Sequence, residues 1–258
     1  MAPQFSSVIT MPSIKRIPHD DFTSLHPFGL QYAQLLSINI NSHVLNIQLI
    51  SFEAERFHTD AYRHAALPLP HHIHQSRKIR QAEFFFGRLT ARMALGEYGL
   101  ENLEIHTGLN REPIWPPGML GSITHNRNLS GAVAQKYGSV RGVGIDLEST
   151  GTAEQHDAIA SVAINSDELS IVTSSLFTFG QTMTLFFSAK ECFYKATYRD
   201  VGHFFGFEAI SITGIDAAAG RLSFIVRVHL SDSWPAGATG TIHFIYLDNT
   251  DLLTIFIW

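Results

Sequence analysis

Two acidic residues near the middle of the sequence are spaced so that they could bind a metal ion together. In the run Gly142-Val-Gly-Ile-Asp-Leu-Glu148, Asp146 and Glu148 are separated by one residue. Side chains alternate along a strand, so both carboxylates project from the same face. A divalent cation would relieve their repulsion, and oxygen ligands suit Mg²⁺, which takes one or two protein carboxylates with water and substrate phosphate. The alternative is a strand that ends in a solvated acidic turn.

A third carboxylate and a lysine follow in the run Phe187-Ser-Ala-Lys-Glu-Cys-Phe-Tyr-Lys195. Glu191 and Lys195 are four residues apart, so they share one face of a helix, and Ser188 lies on that face one turn earlier. Such a pair could supply a metal ligand, a general base and a phosphate contact. An ordinary exposed Glu–Lys helix pair is the alternative interpretation.

A short turn that favours phosphate follows a loop rich in proline. Gly121-Ser-Ile-Thr-His125 offers hydroxyl, backbone N–H and imidazole donors, chiefly from Ser122 and His125. The preceding run, Arg111-Glu-Pro-Ile-Trp-Pro-Pro-Gly118, has too many prolines for regular structure and is predicted to be a loop. Since the chain has 14 histidines, His125 is notable only through its neighbours.

The overall charge limits what these clusters can bind. The chain carries a net charge of −5, which argues against a protein that grips a nucleic-acid backbone. The local exception is a basic cluster at Arg77, Lys78, Arg80, Arg88 and Arg92. Its expected partner is therefore a small anion, and a Mg²⁺ nuclease or phosphatase is a weaker alternative because broad positive charge is missing.

Composition indicates a soluble globular protein. Apolar residues make up 45% and charged residues 16% of the 258 residues. No apolar run approaches the roughly 18 residues that a membrane span needs, and the first residues do not have the pattern of a secretory signal. A single cysteine, Cys192, fits a reducing compartment. We therefore expect a cytoplasmic protein that contacts no membrane.

Hydrophobic periodicity predicts two α+β lobes, each with a small, mainly antiparallel sheet and a long helix. The first forty residues are predicted to be irregular, and Ser76 is predicted to cap the first long helix. The N-terminal lobe is assigned to residues 1–144 and the C-terminal lobe to residues 145–258. Predicted helices span 76–97, 152–174 (one or two helices) and 181–199. Predicted strands span 44–52, 120–124, 129–135, 140–147, 208–215, 222–230, 240–247 and 252–258.

Four motifs in order resemble the 4′-phosphopantetheinyl transferases, in the branch typified by the enterobactin synthetase transferase component. Gly144-Ile-Asp-Leu-Glu148 and the run from Phe187 to Lys195 are similar to the family's two signatures. The proline-rich loop with Gly121–His125 is similar to the central block of this branch. Arg80-Gln-Ala-Glu83 followed by Gly87-Arg88 is similar to its upstream helix motif.

The resemblance implies a fold and a set of roles. The family fold is a pseudo-dimer of two similar lobes with the active site at the lobe interface. Asp146, Glu148 and Glu191 would hold Mg²⁺ against the coenzyme A pyrophosphate. Lys195 and His125 would contact phosphates, and Arg80 and Arg88 would hold the 3′-phosphate. Some members have a basic residue just before the proline-rich loop, and here only Arg111 could supply that charge.

The implied activity is Mg²⁺-dependent transfer of 4′-phosphopantetheine from coenzyme A to a serine of an acyl or peptidyl carrier protein, releasing 3′,5′-ADP. Glu191 is the candidate base, although Lys195 could relay the proton instead. The expected partners are coenzyme A and a carrier protein, with the enzyme acting as a monomer in secondary metabolism such as siderophore synthesis. The alternative is a non-catalytic coenzyme A-binding regulatory protein. His71-His-Ile-His74 is predicted to be a surface turn rather than a metal site.

Overall fold

The computed structural model describes residues 10–17, 19–174 and 177–258. These residues form two compact units, an N-terminal unit that ends at Ser139 and a C-terminal unit that begins at Val140. The boundary assigned from sequence, between residues 144 and 145, lies a few residues further along the chain. Each unit has its own sheet and its own long helix.

The N-terminal unit contains seven strands and three α-helices among its described residues. A 3₁₀ helix, His19–Phe28, precedes the second strand. In chain order the elements are β1 (Thr10–Arg16), β2 (Leu30–Ile40), β3 (His43–Phe52), α1 (Asp60–His64), α2 (His71–His74), α3 (Lys78–Gly96), β4 (His106–Thr107), β5 (Pro113–Ile114), β6 (Met119–His125) and β7 (Leu129–Lys136).

The main sheet of this unit is antiparallel and has the strand order β1-β2-β3-β7-β6. The long helix α3 packs on β7, β3 and β6. Strand β7 has small residues, among them Gly131 and Ala132, which let the helix approach the sheet closely. Phe86 of α3 stacks on Phe52 of β3 with ring centroids 4.5 Å apart. This core fixes which face of α3 is exposed, and that face carries the arginines.

The predictions for the first forty residues and for the cap of α3 are wrong. The first forty residues are not irregular where the structure describes them, because β1 and β2 form the sheet edge; residues 1–9 and Pro18 lie outside the described residues. Pro12 is tolerated because β1 is an edge strand with irregular pairing between Thr10 and Ser13. Ser76 does not cap α3, since its hydroxyl donates to the His72 carbonyl (2.8 Å) and Arg77 is the N-cap.

The C-terminal unit contains five strands and three α-helices among its described residues. In chain order the elements are β8 (Val143–Ser149), α4 (Ala153–Ala163), α5 (Ser166–Ser174), α6 (Phe179–Val201), β9 (Ile210–Asp216), β10 (Arg221–Val226), β11 (Thr239–Tyr246) and β12 (Asp251–Ile257). Their antiparallel sheet has the order β8-β12-β11-β10-β9.

The helix α6 is fixed at both ends and along one face. Thr178 and Gln181 form a capping box at its start, and Gly202 ends it in the left-handed conformation with φ 75°. The helix packs on β8 and β12. A Cβ atom at Gly144 would lie 2.1 Å from the Cys192 carbonyl oxygen, so only glycine permits this approach of helix to strand. The glycine of the Gly-Ile-Asp-x-Glu motif thereby brings β8 and its carboxylates against α6.

The predicted fold class is confirmed, since both units are α+β with antiparallel sheets and a long helix. Most predicted strands and both long helices are present, with ends shifted by a few residues. The stretch 152–174 forms two helices, and Asp167 and Glu168 lie in the first turn of the second. Of the proline-rich loop only Pro113 and Ile114 are regular, in a two-residue ladder with His106 and Thr107.

Candidate functional site

Asp146 lies in β8, where hydrogen bonds from α6 hold its carboxylate. The residue is only 4% exposed. The Ser188 hydroxyl donates to Oδ2 of Asp146 at 2.8 Å, and Nζ of Lys195 donates to Oδ1 at 2.5 Å. Both oxygens of the carboxylate therefore face α6, as the alternation of side chains in a strand and the i, i+7 spacing of Ser188 and Lys195 require.

Lys195 is the cation of this cluster. Its side chain is 26% exposed and forms a salt bridge with Asp146. Partial burial by itself lowers the pKa of Lys195, but the charge and hydrogen bond of Asp146 and the charge of Glu191 outweigh it, so the pKa is raised above its ordinary value. The ammonium form is thus stabilised, which suits a permanent positive charge next to a phosphate.

Glu148 follows Asp146 on the same face of β8 and is only partly exposed. Burial and then the negative charge of Asp146 raise the pKa of Glu148 to about 8; Lys195 opposes this rise, and Glu191 adds a smaller contribution to it. The carboxylates are therefore close enough to repel one another. A single lysine does not neutralise them.

Glu191 projects from α6 toward the same cluster and is half-buried. Burial raises its pKa, Lys195 lowers it, and Asp146 raises it again, with a net rise above the ordinary value. A carboxylate of raised basicity next to a charged lysine has the properties of a general base. The structure thus brings together the four residues predicted in the C-terminal unit.

The chemistry of this donor set fits Mg²⁺. All the available ligands are carboxylate oxygens, and the cluster has more negative than positive charge. Within residues 10–17, 19–174 and 177–258, no group of three or more histidine, cysteine, aspartate or glutamate side chains is arranged to hold a metal ion by itself. Mg²⁺ usually binds through one or two carboxylates with substrate phosphates rather than in an all-protein cage. The carboxylates would therefore serve as a partial ligand set that a phosphate completes.

A second polar cluster lies in the N-terminal unit, where Arg80 of α3 meets His125 at the end of β6. Nη1 of Arg80 lies 3.1 Å from Nε2 of His125 and 3.3 Å from Oε2 of Glu83. Because a guanidinium group can only donate, Nε2 accepts and the imidazole proton is on Nδ1, which lies 3.8 Å from the Glu83 carboxylate. The predicted pair of phosphate contacts, Arg80 and His125, is thus adjacent in space.

Arg88, two turns further along α3, lies in a different environment. Its guanidinium donates to the Thr107 hydroxyl at 2.8 Å and stacks over the Phe84 ring at 4.8 Å. Burial lowers the pKa of Arg88 to about 10, and the nearby Arg80 adds to this effect. Arg88 lines a cavity of about 300 Å³ together with Phe84 and Arg92. The lining is mixed, with apolar residues such as Leu103 beside the two arginines and Glu104.

Ser122 and Arg111 are the other two residues of this unit that were predicted to contact the ligand. Ser122 is 3% exposed and lies on the face of β6 opposite to His125, so its side chain does not join the Arg80–His125 pair. Arg111 is exposed in the turn between β4 and β5 with a positive φ of 68°. Near this turn, Trp115 covers Gly121, where a Cβ would lie 2.3 Å from the indole ring. The ligand contacts of Ser122 and Arg111 stay predictions.

Three buried polar residues of the C-terminal unit were missed by the sequence reasoning. Thr254 is fully buried in β12 directly opposite Asp146, and it contacts Ser188. Lys190 of α6 forms a buried salt bridge with Glu168 of α5 at 2.9 Å. The sequence signal for Thr254 is a lone hydroxyl within the apolar strand Leu252–Ile257, whereas no comparable signal marks Glu168 or Lys190.

The histidine-rich segment 71–74 was predicted to be a surface turn, but it forms the short helix α2, with His71, His72 and His74 exposed to solvent. Among the described residues, these side chains form no group of three or more arranged to hold a metal ion. None of the helices in the described ranges combines the length and hydrophobicity that a membrane crossing requires.

Comparison with known proteins places these clusters in a family context. Residues 69–135 match a family model described as the 4′-phosphopantetheinyl transferase N-terminal domain. Residues 142–238 match the 4′-phosphopantetheinyl transferase superfamily. The first match contains Arg80, Arg88 and His125, and the second contains Asp146, Glu148, Glu191 and Lys195.

Individual proteins give the same result. The chain is 35% identical to enterobactin synthase component D of Salmonella typhi over 173 residues, which cover 66% of this chain and 70% of that protein. It is 33% identical to the 4′-phosphopantetheinyl transferase PptT of Mycobacterium tuberculosis over 181 residues, covering 66% and 76% of the two chains. The 4′-phosphopantetheinyl transferase Npt of Nocardia iowensis is 33% identical over 146 residues, with 55% and 63% covered.

Proposed function

Because the chain belongs to the 4′-phosphopantetheinyl transferase superfamily and transfers the phosphopantetheine group of coenzyme A to carrier proteins, we propose how its own residues perform this transfer. The predicted family and enzyme class are confirmed. The observation that carries the proposal is the cluster of Asp146, Glu148, Glu191 and Lys195, in which the carboxylate charge exceeds that of the lysine.

We propose that Asp146, Glu148 and Glu191 hold Mg²⁺. When bound, the ion would neutralise charge on the pyrophosphate of coenzyme A as the leaving group departs. The raised pKa of Glu148, due to burial and to Asp146, supports this role, because it indicates negative charge that a cation would stabilise. Asp146 is held in place by Ser188, which keeps one oxygen directed at the cluster.

Glu191 is the proposed base that removes the proton from the carrier serine, and Lys195 is the proposed phosphate contact. The sequence left these roles open. Asp146 stabilises the charged form of Lys195, so this lysine is a poor proton acceptor. The pKa of Glu191 is raised by burial, which makes its carboxylate a stronger base. The serine oxygen then forms a bond to the phosphorus of phosphopantetheine as the bond to 3′,5′-ADP breaks.

The N-terminal unit would bind the nucleotide end of coenzyme A. Arg80 and Arg88 are proposed to hold the 3′-phosphate, and His125 is proposed to contact a phosphate oxygen. Arg80 and His125 are adjacent, with 3.1 Å between their nitrogens, so one phosphate would contact both if it replaced His125 as the acceptor for Arg80 and the imidazole carried a proton on Nε2 to donate. Arg111 and Ser122 are proposed as further contacts, with Ser122 acting through its backbone because its side chain is buried.

We further propose that the protein acts as a cytoplasmic monomer and contacts neither membrane nor nucleic acid. Its acceptors would be acyl or peptidyl carrier proteins, and a siderophore synthetase is the first to test, since relatives carry the name enterobactin synthase component D. The net charge of −5 supports the exclusion of nucleic acid as a partner.

The test is a transfer assay with coenzyme A, apo-carrier proteins of several pathways, and either Mg²⁺ or EDTA. We expect the mass of a carrier to rise by one phosphopantetheine group only with Mg²⁺ present. Asp146→Asn should abolish the change, whereas Asp157→Asn, in the exposed part of α4, should not. Coenzyme A binding without transfer to any carrier would instead support the regulatory alternative.

A further inference from the structure

A buried chain of hydroxyl groups connects β12 to the proposed metal ligand Asp146. Thr254 and Ser188 are both 0% exposed. Oγ1 of Thr254 lies 2.9 Å from Oγ of Ser188 and 3.0 Å from the Ser188 carbonyl oxygen. Oγ of Ser188 lies 2.8 Å from Oδ2 of Asp146. The three residues thus form a continuous path from one strand, through the helix, to the neighbouring strand.

The pairing of the strands makes this path compact. Asp146 of β8 and Thr254 of β12 are direct partners in the antiparallel register. Their backbones are therefore fixed relative to each other by the sheet, and Ser188 of α6 packs over both. The position of the Asp146 carboxylate then depends on rotation of its own side chain, which the Ser188 hydroxyl and Lys195 control.

Hydrogen-bond chemistry assigns a direction to the path. A serine hydroxyl has one hydrogen and rotates freely unless a neighbour fixes it. An ionised carboxylate accepts only, and it is the strongest acceptor near Ser188, so the Ser188 hydrogen points to Asp146. The Thr254 hydrogen then lies between the carbonyl and hydroxyl oxygens of Ser188 and anchors that residue from behind.

We propose that Thr254 is a positioning residue of the transferase, which orients the Asp146 carboxylate for Mg²⁺ through Ser188. The proposal rests on the proposed metal role of Asp146. Thr254 lies beyond the matched superfamily region, which ends at residue 238. Its hydroxyl lies in the otherwise apolar run Leu252–Ile257. Valine would have the same shape there and would be buried without needing a hydrogen-bond partner. The buried hydroxyl is thus accounted for by its bond to Ser188.

The first experiment replaces Thr254 by Val or Ser and measures Mg²⁺ binding calorimetrically in the presence of coenzyme A, separately from transfer. Loss of an outer hydrogen-bond partner costs about 10- to 100-fold in metal affinity. We expect Thr254→Val to weaken Mg²⁺ binding by at least about tenfold, in line with that range, and Thr254→Ser to restore it. Coenzyme A affinity measured without metal should be unchanged, which a general loss of structure would not allow.

Thr197→Val is the matched control. Thr197 is also fully buried in this unit, but its hydroxyl bonds to the Phe193 carbonyl within its own helix at 2.8 Å. This variant should retain parental Mg²⁺ affinity. Parental Mg²⁺ affinity in folded Thr254→Val would overturn the proposal.

Ser188→Ala keeps the test decisive if Thr254→Val does not fold, because it breaks the same path at its centre and should weaken Mg²⁺ binding equally. In the double variant Ser188→Ala/Thr254→Val the loss should be no greater than in Ser188→Ala alone, since both act through one path. Additive losses would contradict the proposal. If the parent protein itself neither binds Mg²⁺ nor requires it for transfer, the proposed metal role fails instead, which is a different result.

Discussion

Nζ of Lys195 lies 2.5 Å from Oδ1 of Asp146, whereas Glu148 and Glu191 form no ion pair within the described residues. Lys195 is the cation seen to pair with this cluster among the described residues, and the proposed Mg²⁺ would add positive charge to the three carboxylates. The cluster is thus expected to cost stability in the metal-free protein, as functional sites with crowded like charges do.

Glu148→Gln tests this cost. Removing the charge should stabilise the metal-free protein by about 1 to 3 kcal/mol. The shift from 4.5 to about 8 corresponds to about 5 kcal/mol at about 1.4 kcal/mol per pKa unit, and solvent screening of this partly exposed group reduces it. Urea denaturation at pH 8 in EDTA measures the effect, and Glu154→Gln, exposed on α4, is the control. The same variant should bind Mg²⁺ more weakly than the parent. A less stable variant with unchanged Mg²⁺ affinity would contradict the expectation.

Glu191→Gln tests the proposed base. We expect transfer to fall at least about 100-fold, the lower range for general base catalysis. Coenzyme A affinity, measured without metal, should change little, because the substitution preserves the shape of the side chain. Single-turnover transfer to an apo-carrier and equilibrium binding separate the two effects, with the exposed Glu208→Gln as a control. Near-normal turnover would remove Glu191 from this role.

Arg80→Ala and Arg88→Ala test recognition of the 3′-phosphate. Each should weaken coenzyme A by about tenfold or more, as expected for a charge-assisted hydrogen bond, and dephospho-coenzyme A much less. Arg92→Ala is the control, since Arg92 also lines the cavity but bonds to the Ala65 carbonyl. Binding isotherms for both ligands provide the comparison. Equal losses for the two ligands would show that the arginines do not read this phosphate.

Lys190→Met tests the buried salt bridge between α5 and α6. Lys190 and Glu168 are 2% and 0% exposed in their side chains, and Glu168 also accepts from the backbone N–H groups of Asn165 and Ile212. Leaving Glu168 buried without its partner should cost about 3 to 5 kcal/mol. Chemical denaturation measures the loss. Asp167→Asn, which alters an exposed ion pair with Arg227, should cost less than about 1 kcal/mol.

The buried imidazole of His243 predicts how stability depends on pH. Burial, and then Arg221, lowers the pKa of His243 from 6.5 to about 4. Between these values the unfolded chain binds a proton that the folded protein does not, so stability is complete above pH 6.5 and is lost as pH falls toward 4. The contribution is about 3 kcal/mol from the size of the shift. His243→Gln should flatten the stability profile between pH 7 and pH 4.5 relative to the parent, and an unchanged slope would oppose this assignment.

Most helices and strands and the acidic cluster could be predicted from the sequence, because hydrophobic periodicity and motif spacing depend only on residues that are close together in the chain. Asp146 and Glu148 share a face of β8 for the reason expected, namely alternation along a strand. Glu191 and Lys195 share a face of α6 because they are four residues apart. The face on which a side chain lies could therefore be predicted wherever it depends only on spacing within one helix or strand.

Other features depend on contacts that spacing does not encode. Thr254 meets Asp146 through the register of β12 on β8, and Lys190 meets Glu168 through packing of α6 on α5. Ser122 and His125 were grouped as donors of one turn, but both lie in β6, which extends the strand predicted for 120–124 to His125 and places the two side chains on opposite faces. Ser76 failed as a cap because the preceding helix α2 offered its hydroxyl another acceptor, the His72 carbonyl.

The pairing of β8 with β12 also has a consequence for synthesis of the protein on the ribosome. β8 has β12 as its only strand neighbour among the described residues, although β12 follows every other described element in the chain. When translation has passed α6, all four residues of the acidic cluster have been made, yet the strand that carries two of them still lacks its partner. Until β12 is translated, β8 exposes an unpaired edge that is open to wrong pairing and to chaperones. Premature stops upstream of residue 251 should therefore yield aggregation-prone chains rather than weak enzymes.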